Sequence, residues 1–267
     1  MAKTFKYLKI IMVMLVLTTG IVFFSGFSHT VSKGEKFDVK LLSAFTTEFD
    51  GNNKARSHNI RLASELINGS TVRCGETFSF NAAVGQRTPE RGFKRAAIIK
   101  DGEYVAGYGG GVCQVSTTLY NAALLSGCKI SEYHAHSLPV SYVPPSRDAM
   151  VSGTDFDLKF VNTTGSLIYI TSSFNGGSVT FKIYGRDFGA RYSCSSRVTG
   201  IITAPEEFTD NEQMVRDGKD GIISEGYITV TRNGISHSKL LRRDKYAPQK
   251  KISLKPEELP PEISENI

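Results

Sequence analysis

The sequence predicts an α+β fold: a cysteine-bearing helix packed on an antiparallel sheet, then a small all-β module, all behind an amino-terminal membrane helix. Three observations carry this. Residues 10–28 run without a charge behind Lys3, Lys6 and Lys9. Apolar residues recur at helical spacing in two places, near 56–68 and 112–125. From Asp155 onward they alternate with polar ones instead, which is the period of a strand. Hydrophobic residues make up 40% of the 267, with 16 Phe and 11 Tyr, enough to build a core and to exclude wholesale disorder.

The amino-terminal segment comes first. Nineteen uncharged residues, at about 1.5 Å each, reach roughly 28 Å, the hydrocarbon thickness of a bilayer. Lysines on the leading flank keep that end in the cytoplasm and place the rest of the chain outside. No Ala-x-Ala site follows and no cysteine is close enough to take a lipid, so residues 1–30 are expected to be an uncleaved signal-anchor in the cell membrane. Cleavage would give a secreted form instead, and a buried helix of a soluble protein is the third reading. The chain carries +6, of which the three leading lysines supply half; the remainder, +3, is too mild for a nucleic-acid binder.

Export changes the reading of the cysteines. Cys74, Cys113, Cys128 and Cys194 allow two disulfides in three connectivities, or at most one if a cysteine works as a nucleophile. No C-x-x-C pair is present, which excludes a zinc ribbon and a thioredoxin-type motif.

The elements follow in order. Residues 31–43 read as a tether. Ile60, Ala63, Leu66 and Ile67 share one face of a helix that Asn68-Gly69 stops. A second helix runs from Val112 to Leu125, with Val115, Leu119, Ala122 and Ala123 as its apolar stripe and Gly127 past its end. Phe156, Leu158 and Phe160, then Val179, Phe181 and Ile183, alternate with polar residues around turns at Asn162-Thr-Thr-Gly and Asn175-Gly-Gly, which makes a small antiparallel sheet. A strand at 227–232, an Asn233-Gly turn and a strand near 236–242 form a further hairpin. The end of the chain, rich in Pro and Glu, reads as a disordered tail.

The chemistry centres on Cys113. The run Gly109-Gly-Gly-Val-Cys-Gln-Val-Ser places it in the first turn of the second helix, where free backbone N–H groups and the dipole favour a thiolate. Gly109, Gly110 and Gly111 leave room for a substrate backbone, and amides from Val112 to Gln114 are oxyanion donors. The competing reading is a tight turn with Cys113 as a small buried hydrophobe. A thiolate needs a base. His134 and His136, placed on one strand, would point the same way beside apolar residues. Solvated edge histidines, or a zinc site for which further ligands are lacking, are the alternatives. Arg147 and Asp148 are either orienting or carboxylate-binding groups, or a turn and a surface ion pair. The glycine run lacks the P-loop and dinucleotide spacings, so no nucleotide cofactor is expected, and no metal.

Glu90-Arg-Gly-Phe, Gly109-Gly-Gly-Val-Cys-Gln-Val-Ser-Thr-Thr-Leu-Tyr-Asn-Ala, His136-Ser, Tyr142-Val-Pro and Arg147-Asp-Ala, with the upstream Gly75-Glu-Thr-Phe-Ser-Phe-Asn, resemble the VanW-like family over residues 44–186. The family is named after accessory proteins of vancomycin resistance operons in Gram-positive bacteria, and its domains have been associated with L,D-transpeptidase activity on peptidoglycan. The resemblance implies that Cys113 is acylated by a stem peptide and that His136 is its base, with His134 a weaker candidate. Gln114, Ser116, Asn121, Tyr142, Arg147 and Asp148 would supply further contacts, with service to the helix alone as the other reading of Ser116 and Asn121. Residues 197–252 resemble a divergent five-glycine extracellular module, leaving 253–267 as tail. The implied partners are stem peptides, wall polymers and the membrane. A wall-binding or scaffold protein without turnover, and a hydrolase that uses water as acceptor, remain the other two readings.

Overall fold

A computed structural model describes residues 38–255 apart from 101 and 154. The predicted membrane segment at 1–30 and most of the predicted tail at 253–267, from 256 on, lie outside these residues; Ser253 and Leu254, expected in that tail, pair with Phe208 and Thr209 in a strand instead. Among the described residues no helix is long and apolar enough to cross a membrane.

Strand β1 (Val39–Glu48) leads to helix α1 (Lys54–Ile67), short strands β2 (Thr71–Val72) and β3 (Thr77–Ser79), and the single-turn helix α2 (Phe80–Val84). The hairpin β4 (Arg95–Lys100) and β5 (Glu103–Tyr108) precedes helix α3 (Val112–Ser126), which carries Cys113. Then come β6 (Lys129–Glu132), β7 (Lys159–Val161) and the hairpin β8 (Ile168–Phe174) with β9 (Ser178–Arg186). The last strands are β10 (Ala190–Ile202), β11 (Glu206–Thr209), β12 (Gly221–Arg232), β13 (Ile235–Tyr246) and β14 (Lys251–Leu254). The fold is therefore mixed, mostly strands, and its pairings are antiparallel except for β11 with β14.

The main sheet has the order β1-β9-β8-β2, and α3 lies across β1 and β9. Val115, Leu119, Ala122 and Ala123, the expected stripe, are fully buried, and they meet Val179, Phe181 and Ile183 from β9 in one core. Polar pins fix this layer. Ser43 Oγ donates to Ala122 O at 2.7 Å, and the hydroxyls of Thr47 and Thr118 stand 2.8 Å apart. Gly127 ends α3 in the left-handed region, its N–H turned back onto Leu124 O, as the glycine there predicts.

Several expectations are corrected. Residues 39–43, read as tether, open β1 and pair with β9. On α1, Ile60, Ala63 and Ile67 are buried, but Leu66 is exposed because it sits at the edge of the apolar arc. Phe156 is exposed and precedes β7, which begins only at Lys159; Leu158 and Phe160 are buried as expected. The Asn233-Gly turn joins β12 to β13 with both residues at positive φ, the hairpin geometry those residues favour. The sheet β10-β12-β13 belongs to the same compact unit as the rest of the described chain, and its Arg242 and Tyr246 are buried against the loop after β6.

Candidate active site

Cys113 stands in the first turn of α3, after a glycine turn that nothing else fits. A Cβ on Gly110 would lie 2.6 Å from Ala97 O in β4, and one on Gly111, at φ +106°, would lie 2.9 Å from Ile60 Cγ1 in α1. The glycines were expected to admit a substrate backbone. At Gly110 and Gly111 the chain's own β4 and α1 take that room instead. Asn59, fully buried on α1, closes the contact by donating to Lys94 O and Gly110 O at 2.9 and 3.0 Å.

The turn also decides which amides are free. Val112 N–H bonds Gly109 O at 2.9 Å and Gln114 N–H bonds Gly111 O at 3.0 Å. Of the three expected oxyanion donors, the amide of Cys113 is the one not held in such a turn bond.

His136 lies 4% exposed beside the cysteine. Its Nδ1 donates to Asp148 Oδ2 at 2.7 Å, and its backbone N–H donates to the same oxygen at 2.8 Å. Nδ1 being engaged, the hydrogen bond between the imidazole and the Cys113 thiol falls to Nε2. Asp148 is held in turn: Tyr246 OH donates to its Oδ1 at 2.6 Å, and Arg242 Nη2 is 3.6 Å away. A buried carboxylate thus fixes the tautomer and the orientation of a histidine that faces a cysteine.

The electrostatics agree with that order. Burial pushes the Cys113 thiol up, but the His136 hydrogen bond and charge, with the Arg87 guanidinium nearby, bring it below the usual 9.0. Burial opposes charging His136, yet Asp148 and Cys113 raise it from 6.5 to about 9. Burial likewise opposes ionising Asp148, and His136 and Arg242 outweigh it, holding the carboxyl below its ordinary value. The pair therefore leans toward thiolate and imidazolium. Tyr142 is pushed well above 10 by burial and by the Cys113 charge, so its hydroxyl keeps its proton.

These residues open into a cleft of about 620 Å³ that also contains Arg87, Tyr142 and Ser152 and is walled on one side by the β4–β5 hairpin. The cysteines are all free, so none of the disulfides the sequence allowed is formed.

Other expected site residues have other work. Gln114 is fully engaged: Oε1 accepts from Arg56 Nη2 at 2.7 Å, and Nε2 donates to Thr47 Oγ1 and Glu48 O. Ser116 donates to Ala149 O at 2.5 Å, and Asn121 bonds Arg147 through Nδ2 to its carbonyl and Oδ1 from its Nε. Both lie fully buried and fasten the 147–149 segment to α3. Arg147 points the other way, to Cys194 O at 3.0 Å and over the Phe45 ring. His134 and His136 do not share a strand face. β6 ends at Glu132, and His134 turns to Glu132 Oε1 at 3.1 Å and packs on Phe156. The histidines diverge because the backbone here bonds to the 148–150 segment, His136 N–H to Asp148 and Met150 N–H to His134 O, rather than to a neighbouring strand. Among the described residues no three His, Cys, Asp or Glu side chains gather as metal ligands.

Sequence reasoning missed Arg87, Ser152, Arg242 and Tyr246. The last two come from the far end of the chain, and no local pattern marks them.

Comparison with known proteins bears on the same stretch. Residues 55–184 match the family described as VanW like protein. The chain is 43% identical over 164 residues to the uncharacterized protein YoaR of Bacillus subtilis, covering 61% of this chain and 52% of that one. It is 31% identical over 111 residues to the vancomycin B-type resistance protein VanW of Enterococcus faecalis, 40% of each chain. The matches thus span about half the length of these curated relatives or less. No solved structure matches. Cys113, His136 and Asp148 all fall inside the matched stretch, and residues 55–184 form a domain of the VanW-like family.

Proposed function

We propose that this protein is an extracytoplasmic, membrane-anchored cysteine acyltransferase of L,D-transpeptidase type that acts on peptidoglycan stems. The observation that supports it most is the line Cys113–His136–Asp148: a half-buried nucleophile, then a buried base and a buried orienting carboxylate, in one file that opens to a cleft. A wall-binding module has no use for a thiol held below its ordinary pKa or for a carboxylate holding the histidine beside it.

In the first half-reaction the Cys113 thiolate attacks the carbonyl of the third stem residue and forms an S–C bond. The C–N bond to the terminal D-alanine breaks, and the His136 imidazolium gives its proton to the departing amine. The Cys113 amide, left free by the turn, donates to the oxyanion. In the second half-reaction an amine from a neighbouring stem attacks the thioester. Neutral His136 takes the amine proton, the S–C bond breaks and Cys113 returns as thiolate. Asp148 stays ionised throughout and keeps Nδ1 protonated. Peptide-bond energy is carried over in the thioester, so the exchange needs no nucleotide.

Mass spectrometry of the full-length protein after incubation with tetrapeptide stems tests this, with Cys113→Ala as control. An acyl adduct on Cys113 with crosslinked dimers is the expected result. An adduct with trimmed stems alone would assign water as the acceptor. No adduct, with stems bound equally by both proteins, would overturn the reading in favour of a wall-binding module.

A further inference from the structure

Two buried side-chain polar atoms among the described residues have no hydrogen-bond partner, Arg87 Nη1 and Ser152 Oγ, and both residues line the Cys113 cleft. A buried donor left empty costs free energy, so such a pair in the lining of one candidate active-site cleft points to a ligand.

The two are built into one frame. Arg87 Nη2 donates to Asn81 Oδ1 at 2.6 Å, and Asn81 Nδ2 donates to Ser152 O at 3.0 Å. Ser152 follows Val151, whose carbonyl accepts from the Cys113 thiol at 3.3 Å. On its other side Arg87 runs past the glycine turn, so closely that a Cβ on Gly109 would stand 2.9 Å from Arg87 Cβ and Cγ. The Phe80 ring lies under the guanidinium. The carboxylate that feels its charge, Asp157, is already taken by the Ser79 hydroxyl and by the amides of Asn81 and Leu158. The guanidinium is thus fixed, next to the nucleophile, with an N–H to spare.

A guanidinium N–H and a hydroxyl, on residues tied through Asn81 and lining one cleft, suit the two oxygens of a carboxylate. Its position decides which carboxylate. Consecutive residues are about 3.8 Å apart along a peptide, so an anion held beside Cys113 lies one residue beyond the attacked carbonyl. We propose that Arg87 and Ser152 form a subsite for the free α-carboxylate of the residue that leaves, so that the site takes peptides ending one residue past the scissile bond. This rests on the acyl-transfer reading for the bond that breaks. It adds that Arg87 and Ser152 are the residues that confine the reaction to chain ends and reject internal peptide bonds.

The test compares a tetrapeptide stem ending in D-alanine with the same peptide as its carboxamide, on the full-length protein. The rate of Cys113 acylation is read by intact mass, and Cys113 alkylation by iodoacetamide is followed in parallel. The wild type is expected to prefer the carboxylate by roughly 10²-fold. Arg87→Gln is expected to remove that preference, Arg87→Lys to restore part of it, and Ser152→Ala to reduce it about fivefold. Equal rates on the two peptides in the wild type would overturn the subsite. So would an Arg87→Gln variant that slows both peptides and alkylation alike, since Arg87 would then serve only the thiol. If neither peptide acylates the wild type, calorimetry of both on Cys113→Ala decides separately. A carboxylate preference lost in Cys113→Ala/Arg87→Gln would uphold the subsite while the acyl-transfer reading falls, and no preference would overturn it.

Discussion

The two walls of the Cys113 cleft are built on opposite principles. One consists of α3 and the 146–151 segment, where Ser116, Thr117, Asn121, Ser146 and Asp148 are fully buried and tied by hydrogen bonds of 2.5–2.9 Å. The other is the β4–β5 hairpin, whose strands pair only with each other and whose Tyr104 is 60% exposed. The first wall holds the groups whose positions must be accurate to fractions of an ångström. The second presents aromatic side chains, Tyr104 and Tyr108, to the cleft, both exposed. Under the proposed function, catalytic placement falls to the saturated wall and contact with the stem to the open ribbon.

That contrast can be broken from the rigid side first. Asp148→Asn keeps the shape but loses the charge that sets the His136 tautomer, and acylation is expected to fall on the order of 10³-fold, measured as adduct formation per minute. A fall of less than tenfold would show that Asp148 only packs. Gly110→Ala drives a methyl into Ala97 O and Ala96, and a loss of about 3 kcal/mol or more in urea unfolding is expected. Next comes Tyr246→Phe. It removes the 2.6 Å bond to Asp148, and about 1–2 kcal/mol of stability with about tenfold in rate is the expected cost.

The pH dependence has a definite sign. His136 is raised from 6.5 to about 9, so what it adds to stability is full below 6.5 and is lost as pH rises through about 9. Asp148 is depressed below 3.8, so its contribution is present above 3.8 and is lost only as pH falls through its lower folded value. Thermal melts should therefore plateau between about pH 4 and 6.5, with an alkaline decline that His136→Ala flattens. The smallest effect belongs to the open wall. Tyr104→Ala should change stability by no more than about 0.5 kcal/mol while raising the KM for stems, and an equal effect on kcat would place the hairpin in the catalytic machinery.

The rigid wall was also the more legible of the two. The stripe Val115, Leu119, Ala122 and Ala123 and the closing Gly127 announce α3, and the motif singles out Cys113 and His136. Asp148 stood open between an orienting group and a surface ion pair, because only the folded loop brings its carboxylate under the His136 ring. The alternation around His134 and His136 imitates a strand, but tertiary hydrogen bonds from the 148–150 segment outweigh it. Gln114, Ser116 and Asn121 have partners that the sequence does not reveal: their side chains lock α3 to β1, α1 and the 147–149 segment. Arg87 looked like any loop arginine, and Tyr246 lies 98 residues from the carboxylate it touches.

The most direct test of the central claim is the pH profile of Cys113 alkylation, read by peptide mass mapping so that the exposed Cys74 does not interfere. The wild-type thiol should titrate below 9.0, and His136→Ala should move it up to 9 or beyond, because burial then acts without the imidazole. A wild-type thiol that titrates at or above 9 and does not move in His136→Ala would contradict the nucleophile and leave Cys113 a structural residue of α3.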